Sequence, residues 1–313
     1  GEDRIWLGPQ GGQFSIFFHP GDEFNFENWF TPAALDSEPF DLIEKSKSSV
    51  KYRKKMSLTN YVNKTFDVKI DRTIRLIDKE ETINILGLEN IDKLKYVGFE
   101  SGNELSNTGT TIWDKEDGLL SIWILGMFPG GSTIIVPYKE NDIKNTGQVY
   151  NEYFVELIGG MDEDQIQTKD GRIFYNGSGN HIGKIGVEAQ YAKPYMGSYN
   201  EEKNILTIVN FLFFDTIERY VNSQFKYQDQ PYNGDVVNAY NDGPLDRKEN
   251  AAPTFYELES SSPALELKPG QSIMHFHRTF HFQGSKEQLS IITQDLLDCK
   301  LEEVIQFQNN HLN

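Results

Sequence analysis

The sequence predicts an all-β protein: a large antiparallel β-sandwich with a short helix near its carboxyl end. The dominant hydrophobic period is two, turn sequences separate the periodic segments, and no helices alternate with them. Strands without crossover helices build a sandwich or barrel rather than a parallel sheet. At least nine segments rich in β-branched and aromatic residues are predicted strands: 13–18, 66–77, 93–100, 119–127, 133–138, 205–214, 254–258, 264–267 and 273–282.

The hydrophobic patterns of individual segments predict which strands are central and where a helix lies. Segments 119–127 and 205–214 barely alternate, which favours strands covered on both faces near the centre of a sheet. Ser285 with Gln288 three residues later predicts a capping box, and the adjoining apolar stripe predicts a helix through Leu297 that covers one end of the sandwich. No linker or repeat divides the chain, so residues 1–313 are expected to form a single domain.

Composition narrows the class of function. The 313 residues carry 30 Lys and Arg against 47 Asp and Glu, a formal net charge of −17. Such a chain has no basic excess with which to bind nucleic acid or an anionic membrane. No apolar run approaches the ~20 residues of a membrane-spanning helix. The single cysteine, Cys299, excludes an internal disulfide, and no motif predicts a cofactor.

Histidines concentrate on one predicted strand, 273–282. Side chains alternate between the faces of a strand, so His275, His277 and His281 share one face while Arg278 and three phenylalanines share the other. The phenylalanine face is expected to be core. The histidine face is then either a polar outer face or the floor of a cleft, where imidazoles act as acids, bases or hydrogen-bond donors.

Two glutamates of equal parity lie on the preceding predicted strand. Glu257 and Glu259 are expected to face the same space, and the short connection allows them to lie near the histidines. Two chemistries remain open. One is general acid/base catalysis by a carboxylate and an imidazole. The other is a metal site built from His275, His277 and a glutamate.

Further polar and aromatic residues are candidates for ligand binding. Lys184 lies between glycines and is either a cation of the site or a solvated lysine at a strand end. Its surroundings fail the phosphate-loop pattern, since Ile185 stands where Ser or Thr is needed. Trp29 and the pair Tyr240–Asn241 combine aromatic rings with amides, which suits sugar rings and hydroxyls, although each pair is also ordinary loop composition. No nucleophilic serine motif is present.

Several segments together resemble an uncharacterised bacterial family with the galactose-mutarotase-like (aldose 1-epimerase-like) supersandwich. The resemblance rests on segments 6–18, 107–128, 183–186 and 234–244, and best on 255–270 running into 275–281. Members of this family usually carry an additional amino-terminal β segment, often after a lipoprotein-type export signal. The resemblance therefore implies a periplasmic or outer-membrane lipoprotein whose amino-terminal segment is not part of this sequence.

The resemblance also implies roles for residues. Aldose mutarotases use a glutamate base and a histidine acid, and their glutamate lies shortly before a Leu-x-Pro-Gly turn. Glu257 or Glu259, ahead of Leu267-Lys-Pro-Gly270, is similar in placement. The acid histidine has no clear counterpart upstream, where His181 is the one poor match.

These observations lead to three alternative functions. The first is an extracytoplasmic mutarotase-like enzyme in which Glu257 or Glu259 is the base. Its acid would be His275, His277 or His281, and Lys184 and Arg278 would contact a carbohydrate. The second is a non-catalytic glycan-binding module. The third is a metal-dependent β-sandwich enzyme that uses the His-x-His pair and a glutamate.

Overall fold

Two antiparallel sheets form the fold, as seen in a computed structural model that describes residues 2–140, 148–162, 164–214, 216–217, 219–244 and 254–311. All strand pairs within them are antiparallel in these ranges. The six-stranded sheet has the spatial order β1 (Asp3–Gly8), β6 (Ser121–Pro129), β15 (Phe255–Ser261), β14 (Asp235–Asn241), β11 (Gly183–Glu188) and β8 (Asn151–Glu152). The ten-stranded sheet has the order β2 (Asp41–Lys45), β3 (Ser49–Thr59), β4 (Thr65–Ile77), β5 (Lys95–Asn107), β16 (Ser272–Gln283), β13 (Ile205–Phe211), β12 (Tyr195–Asn200), β7 (Ser132–Pro137), β10 (Arg172–Gly177) and β9 (Ile166–Lys169).

The two sheets face each other across a continuous apolar layer. Leu7 and Ile122 of the six-stranded sheet pack in one buried cluster with Ile70 and Leu105 of the ten-stranded sheet. A second cluster, which includes Leu258, fills the other half of the layer. Each sheet therefore has an inner face against this layer and an outer face turned away from its partner. The expected all-β antiparallel sandwich is confirmed.

Helices cover part of the outer face of the ten-stranded sheet. The helices are α1 (Ala33–Asp36), α2 (Lys79–Leu86), α3 (Val155–Ile158), α4 (Lys286–Leu297) and α5 (Leu301–His311). Phe280 and Phe282 of β16 pack in one buried cluster with residues of α2, α4 and α5. The predicted capping box of α4 is present, with the Ser285 side chain accepting from the Gln288 N–H. The helix covers a sheet face, however, and not an end of the sandwich as expected.

Seven of the nine predicted strand segments coincide with β4, β5, β6, β7, β13, β15 and β16. As predicted, β6 and β13 are buried along most of their length. Segments 13–18 and 264–267 were wrongly predicted as strands. Their apolar residues, such as Phe17 and Leu267, are buried in the core but belong to irregular segments. Alternating apolar residues in these two segments indicate that the side chains are buried, and the side chains of a packed irregular segment are buried as well. Within the described ranges, no helix is both long enough and apolar enough to cross a bilayer.

Candidate active site

A group of ionisable side chains lies on the outer face of the six-stranded sheet. Glu257 of β15 pairs with Tyr240 of β14, and Tyr240 pairs with Lys184 of β11. Directly paired residues of antiparallel strands project from the same face, so these three side chains lie side by side. Arg4 of β1 and Glu259 of β15 both pair with Leu125 of β6, which places them on this face as well.

Loops roof this face and turn it into a cleft, which we call the Glu257 cleft. Its cavity volume is about 270 Å³, at the small end of ligand pockets. Strand residues form the floor, and segments after β1, before α3 and after β13 form the walls. The lining residues are Arg4, Trp6, Gln10, Phe26, Trp29, Trp123, Leu125, Phe154, Ile182, Lys184, Phe225, Tyr240, Phe255, Glu257 and Glu259.

Glu259 is held as one half of a buried ion pair. The Lys184 Nζ atom lies 2.9 Å from Glu259 Oε2, and the side chains of both residues are at most 2% exposed. The Trp123 indole N–H donates to the same oxygen at 2.7 Å. Glu259 Oε1 is buried and has no hydrogen-bond donor among the described residues. Oε2 of this carboxylate is thus fixed by two donors, and the carboxylate also forms a hydrogen bond with the neighbouring carboxyl of Glu257.

Glu257 lies in a different electrostatic environment two residues away. It is 3% exposed, and its closest charged partner is Arg4, whose Nη2 atom donates to Glu257 Oε1 at 2.9 Å. Burial raises the pKa of the Glu257 carboxyl to about 8, and the negative charge of Glu259 adds to the effect, while Arg4 and Lys184 oppose it. The raised pKa favours the protonated form of Glu257 at neutral pH, beside a glutamate that is paired with lysine, and such a pair is suited to acid and base roles.

Lys184 is fixed by more than its carboxylate partner. Its ammonium donates to Gln10 Oε1 at 3.1 Å and lies 4.5 Å from the centre of the Trp123 ring. It also lies 5.4 Å from the ring centre of Tyr153, whose hydroxyl donates to Asp235 at 2.6 Å. Burial raises the pKa of Asp235 to about 6. These contacts orient the Lys184 ammonium towards Glu259 and away from bulk water.

Tryptophans supply much of the apolar surface of the Glu257 cleft. Trp6 lies 5.5 Å from Trp123 and 5.8 Å from Trp29, measured between ring centroids. Trp29 also stacks on Phe17 with an interplanar angle of 7°. The indole N–H groups of Trp6 and Trp29 are buried and have no acceptor among the described residues. Aromatic surface with free donors at its edges is the chemistry that a sugar ring and its hydroxyls require.

The structure does not bring the histidines to the glutamates. Ser260 of β15 projects opposite to Glu259, and its hydroxyl lies 2.8 Å from His275 Nε2 and 2.9 Å from His277 Nδ1. Both imidazoles are fully buried between the sheets. Burial lowers the pKa of His275 to about 3 and that of His277 to about 4, so both are neutral at pH 7. The predicted shared hollow of glutamates and histidines is therefore wrong.

The histidines lie between the sheets because of the elements that cover each face of β16. The alternation of its side chains is as predicted, since its pairing with β5 and β13 runs without a bulge. The phenylalanine face is core at Phe280 and Phe282, as expected, but its cover is not the other sheet. Helices α2, α4 and α5 cover that face instead at Phe280 and Phe282. The histidine face is therefore the one turned to the other sheet.

Three other candidates also lie away from the Glu257 cleft. Arg278, on the outer face of the ten-stranded sheet, pairs with Glu100 at 2.6 Å. His281 lies 2.9 Å from Thr207 Oγ1 and packs edge-on against the Phe128 ring. Asn241 projects opposite to its neighbour Tyr240 and fixes a loop through the backbone of residues 179 and 181. By contrast, the cleft does contain Glu257, Glu259, Lys184, Trp29 and Tyr240.

Sequence reasoning missed several residues of the cleft, notably Arg4, Trp6, Gln10 and Trp123. Trp123 lies in a strand that is apolar on both faces, so its pattern did not distinguish a cleft from a core. Arg4 and Trp6 share the parity of a strand face, but nothing in the sequence indicates that β1 pairs with β6. Only the pairing order of the sheet brings these residues together.

A three-residue metal site is not present in the described part of the chain. No three His, Cys, Asp or Glu side chains converge there in a way that could hold an ion. His275 and His277 share a serine and not a glutamate, so the donor set of the third alternative is not assembled.

Comparisons with known proteins agree with the architecture. The sequence profile of a family of unknown function, DUF6786, matches residues 1–308. A protein from Escherichia coli K12 described as a candidate aldose 1-epimerase has a similar fold, with a TM-score of 0.50 and 10% identity over 89% of this chain and 83% of that one. A galactose mutarotase-like protein from Lactobacillus casei has a TM-score of 0.48 and 11% identity over 89% and 84%. No curated protein matches the sequence. The fold is a galactose-mutarotase-like sandwich.

Proposed function

We propose that this chain, which belongs to the DUF6786 family, is a carbohydrate-active protein that catalyses mutarotase-like proton transfer in the Glu257 cleft. The observation that carries the proposal is the carboxyl pair on one face of β15. Burial raises the pKa of Glu257 to about 8, which favours its protonated form at neutral pH, and Glu259 is paired with Lys184. Two neighbouring carboxyl groups whose environments differ in this way provide an acid and a base.

The chemistry needs one group of each kind. Glu259 takes the proton from the anomeric hydroxyl while Glu257 donates its proton to the ring oxygen. The bond between the anomeric carbon and the ring oxygen breaks, and an open-chain aldehyde forms. After rotation of the aldehyde, the hydroxyl adds to its other face, Glu257 recovers its proton, and Glu259 returns its own. Atoms and charges balance, and no histidine is required.

Two neighbours hold the proposed base in place. Lys184 and Trp123 both donate to Glu259 Oε2, which fixes the orientation of this carboxylate. The tryptophan surfaces position the apolar faces of a sugar ring above the two carboxyls. The proposed proton acceptor and proton donor thus lie on the same face of β15, beneath the aromatic side chains of the cleft.

A non-catalytic glycan-binding module is the second candidate. It is favoured by the lining of the cleft, which is largely aromatic and, among the described residues, contains no histidine. In this case the Glu257 carboxyl serves only as a hydrogen-bond donor to a sugar oxygen. Binding without turnover separates the two candidates.

The test is polarimetry on freshly dissolved single anomers of a panel of aldoses and sugar acids. The wild-type protein is expected to accelerate the approach to anomeric equilibrium, and Glu257→Gln and Glu259→Gln to lower that acceleration by about 100-fold or more. Glu266→Gln, at an exposed glutamate outside the cleft, is the matched control and should leave the rate unchanged. Absence of acceleration across the panel, with sugar binding intact, would leave the binding module.

The location of the protein is part of the proposal. The resemblance noted in the sequence supports an extracytoplasmic, lipoprotein-type setting, where a carbohydrate-active protein meets exported or imported glycans. Fractionation of cells that carry the complete gene tests this placement, and recovery of the protein in the cytoplasmic fraction would contradict it.

A further inference from the structure

Arg4 occupies the rim of the Glu257 cleft with most of its hydrogen-bonding capacity unused. Its guanidinium carbon lies 4.0 Å from the centre of the Trp6 ring, so the group is held against an aromatic face. The side chain is 30% exposed. A guanidinium has five N–H donors, and within the described residues Arg4 directs only one contact to a protein acceptor, Glu257. Its Nε atom is buried without a partner there.

The charges of the cleft do not cancel. Lys184 and Glu259 neutralise each other at 2.9 Å. Arg4 meets Glu257 through a single N–H at 2.9 Å, and burial raises the pKa of that carboxyl to about 8, which favours its neutral form. With Glu257 in this form, the cleft has two cations against one carboxylate, and the uncompensated positive charge belongs to Arg4.

The unpartnered groups of the cleft are mostly donors. Among the fully buried polar atoms of the described lining residues, those without a partner are the Nε atom of Arg4, the indole nitrogens of Trp6 and Trp29, and one acceptor, Glu259 Oε1. The Oε1 atom is the one assigned to the anomeric hydroxyl. The other end of a ligand would thus meet donors and a positive charge, which a neutral hydroxyl satisfies poorly and an anionic group satisfies well.

We infer that the Glu257 cleft takes an acidic sugar, a uronate-type ring whose carboxylate binds the free edge of the Arg4 guanidinium. The planar fork of arginine matches a carboxylate in bidentate geometry, and the single uncompensated charge of the cleft matches the single charge of a carboxylate. A phosphate dianion would need a second free cation, and Lys184 is already paired with Glu259. This inference rests on the proposed carbohydrate function and names its substrate class.

The experiment measures binding of matched sugars by titration calorimetry near 0.15 M salt. The probes are glucuronate and galacturonate, glucose and galactose, and glucose 6-phosphate and galactose 6-phosphate, all with a free anomeric hydroxyl. At this ionic strength the net charge of −17 is screened beyond about 8 Å. At least one uronide is expected to bind about tenfold more tightly than its neutral counterpart, because it adds charge-assisted hydrogen bonds to Arg4.

Variants test whether the preference for uronides over neutral sugars depends on Arg4. Arg4→Gln should reduce the uronide preference to near unity while neutral-sugar binding persists, and Arg4→Lys, which keeps the charge without the fork, should retain part of it. Arg53→Gln is the matched control, because Arg53 pairs with Asp71 on the other sheet and Lys69 still neutralises Asp71 in its absence. It should leave all affinities unchanged.

The outcomes separate the two claims. Equal binding of acidic and neutral sugars, or a uronide preference that survives Arg4→Gln, overturns the acidic-sugar inference and leaves the proposed function standing. Tighter binding of a hexose 6-phosphate than of both uronides also overturns it. Failure of every sugar to bind overturns the inference and the proposed function together.

Discussion

Glu257 controls the charge of the cleft because its carboxyl is buried beside a second carboxyl. Burial disfavours its ionised form, and Arg4 compensates this only in part. Glu259, two residues away, is instead matched with the equally buried Lys184. The two glutamates have the same chemistry and lie on the same strand, so the difference between them comes from their neighbours on β1, β6 and β11.

This difference predicts a pH dependence of stability. The Glu257 pKa is about 8 in the folded state against an ordinary value of 4.5. Between these values the folded protein binds more protons than the unfolded chain, so its stability falls as pH rises from about 4.5 to 8. Glu257→Gln should remove that dependence and, at pH 9, raise the free energy of unfolding by roughly 1 kcal/mol or more over wild type.

Urea denaturation at a series of pH values measures the effect. Glu266→Gln, at an exposed glutamate, should reproduce the wild-type curve. A Glu257→Gln protein with the wild-type slope between pH 5 and pH 8 would show that Glu257 is ionised in the native state, and the assignment of Glu257 as the acid would fail.

At the scale of elements, β15 and β16 show what alternation can and cannot predict. The pattern correctly placed Glu257 with Glu259, and His275 with His277 and His281, on common faces. It could not say which face meets the other sheet, because both faces of β16 are buried: Phe280 under helices, and His275 and His277 between the sheets. The histidine face was expected to be a polar outer face or a cleft floor, and neither expectation allowed for neutral imidazoles that a core accepts because Ser260 joins them.

The burial of His275 and His277 on β16 predicts that the protein loses stability in acid. The pKa values of His275 and His277 are about 3 and 4 in the folded state against an ordinary 6.5. The unfolded chain therefore binds more protons between these values, and stability falls as pH drops from about 6.5 towards 4. Each histidine contributes a slope of up to about 1.4 kcal/mol per pH unit.

Denaturation of His277→Asn against wild type between pH 7 and pH 4.5 checks this. The variant is expected to start less stable, because it loses a buried hydrogen bond, but to lose less stability per pH unit. His19→Asn changes an exposed histidine and should keep the wild-type slope. Equal slopes for all three proteins would mean that the imidazoles are protonated within the fold.

The elements that cover each face of the two sheets explain why the candidate site lies on the six-stranded sheet. Helices cover part of the outer face of the ten-stranded sheet, and the space between the sheets is filled. In the part of the chain that the structure describes, loop residues roof the Glu257 cleft on the outer face of the six-stranded sheet. Loops on a rigid scaffold are where binding residues usually occur, and this roof contributes Gln10, Phe26 and Trp29.

Much of the fold could be predicted from the sequence, and about half of the site. The period of two and the turn sequences predicted the sandwich because they are local properties. Five of the ten candidate site residues lie in the cleft: Glu257, Glu259, Lys184, Trp29 and Tyr240. The cleft residues that were not predicted depend on which strands become neighbours. Arg4 is one of them, since its strand β1 joins β6 more than 100 residues later in the chain. Such long-range pairing leaves no trace in local periodicity.

The most direct test of the central claim is a crystal structure of the Glu257→Gln protein with a bound sugar. We expect the ring to stack on the tryptophans of the Glu257 cleft, with the anomeric hydroxyl within hydrogen-bonding distance of Glu259 Oε1. A sugar bound elsewhere on the molecule, with the cleft filled only by water at saturating ligand, would contradict the account.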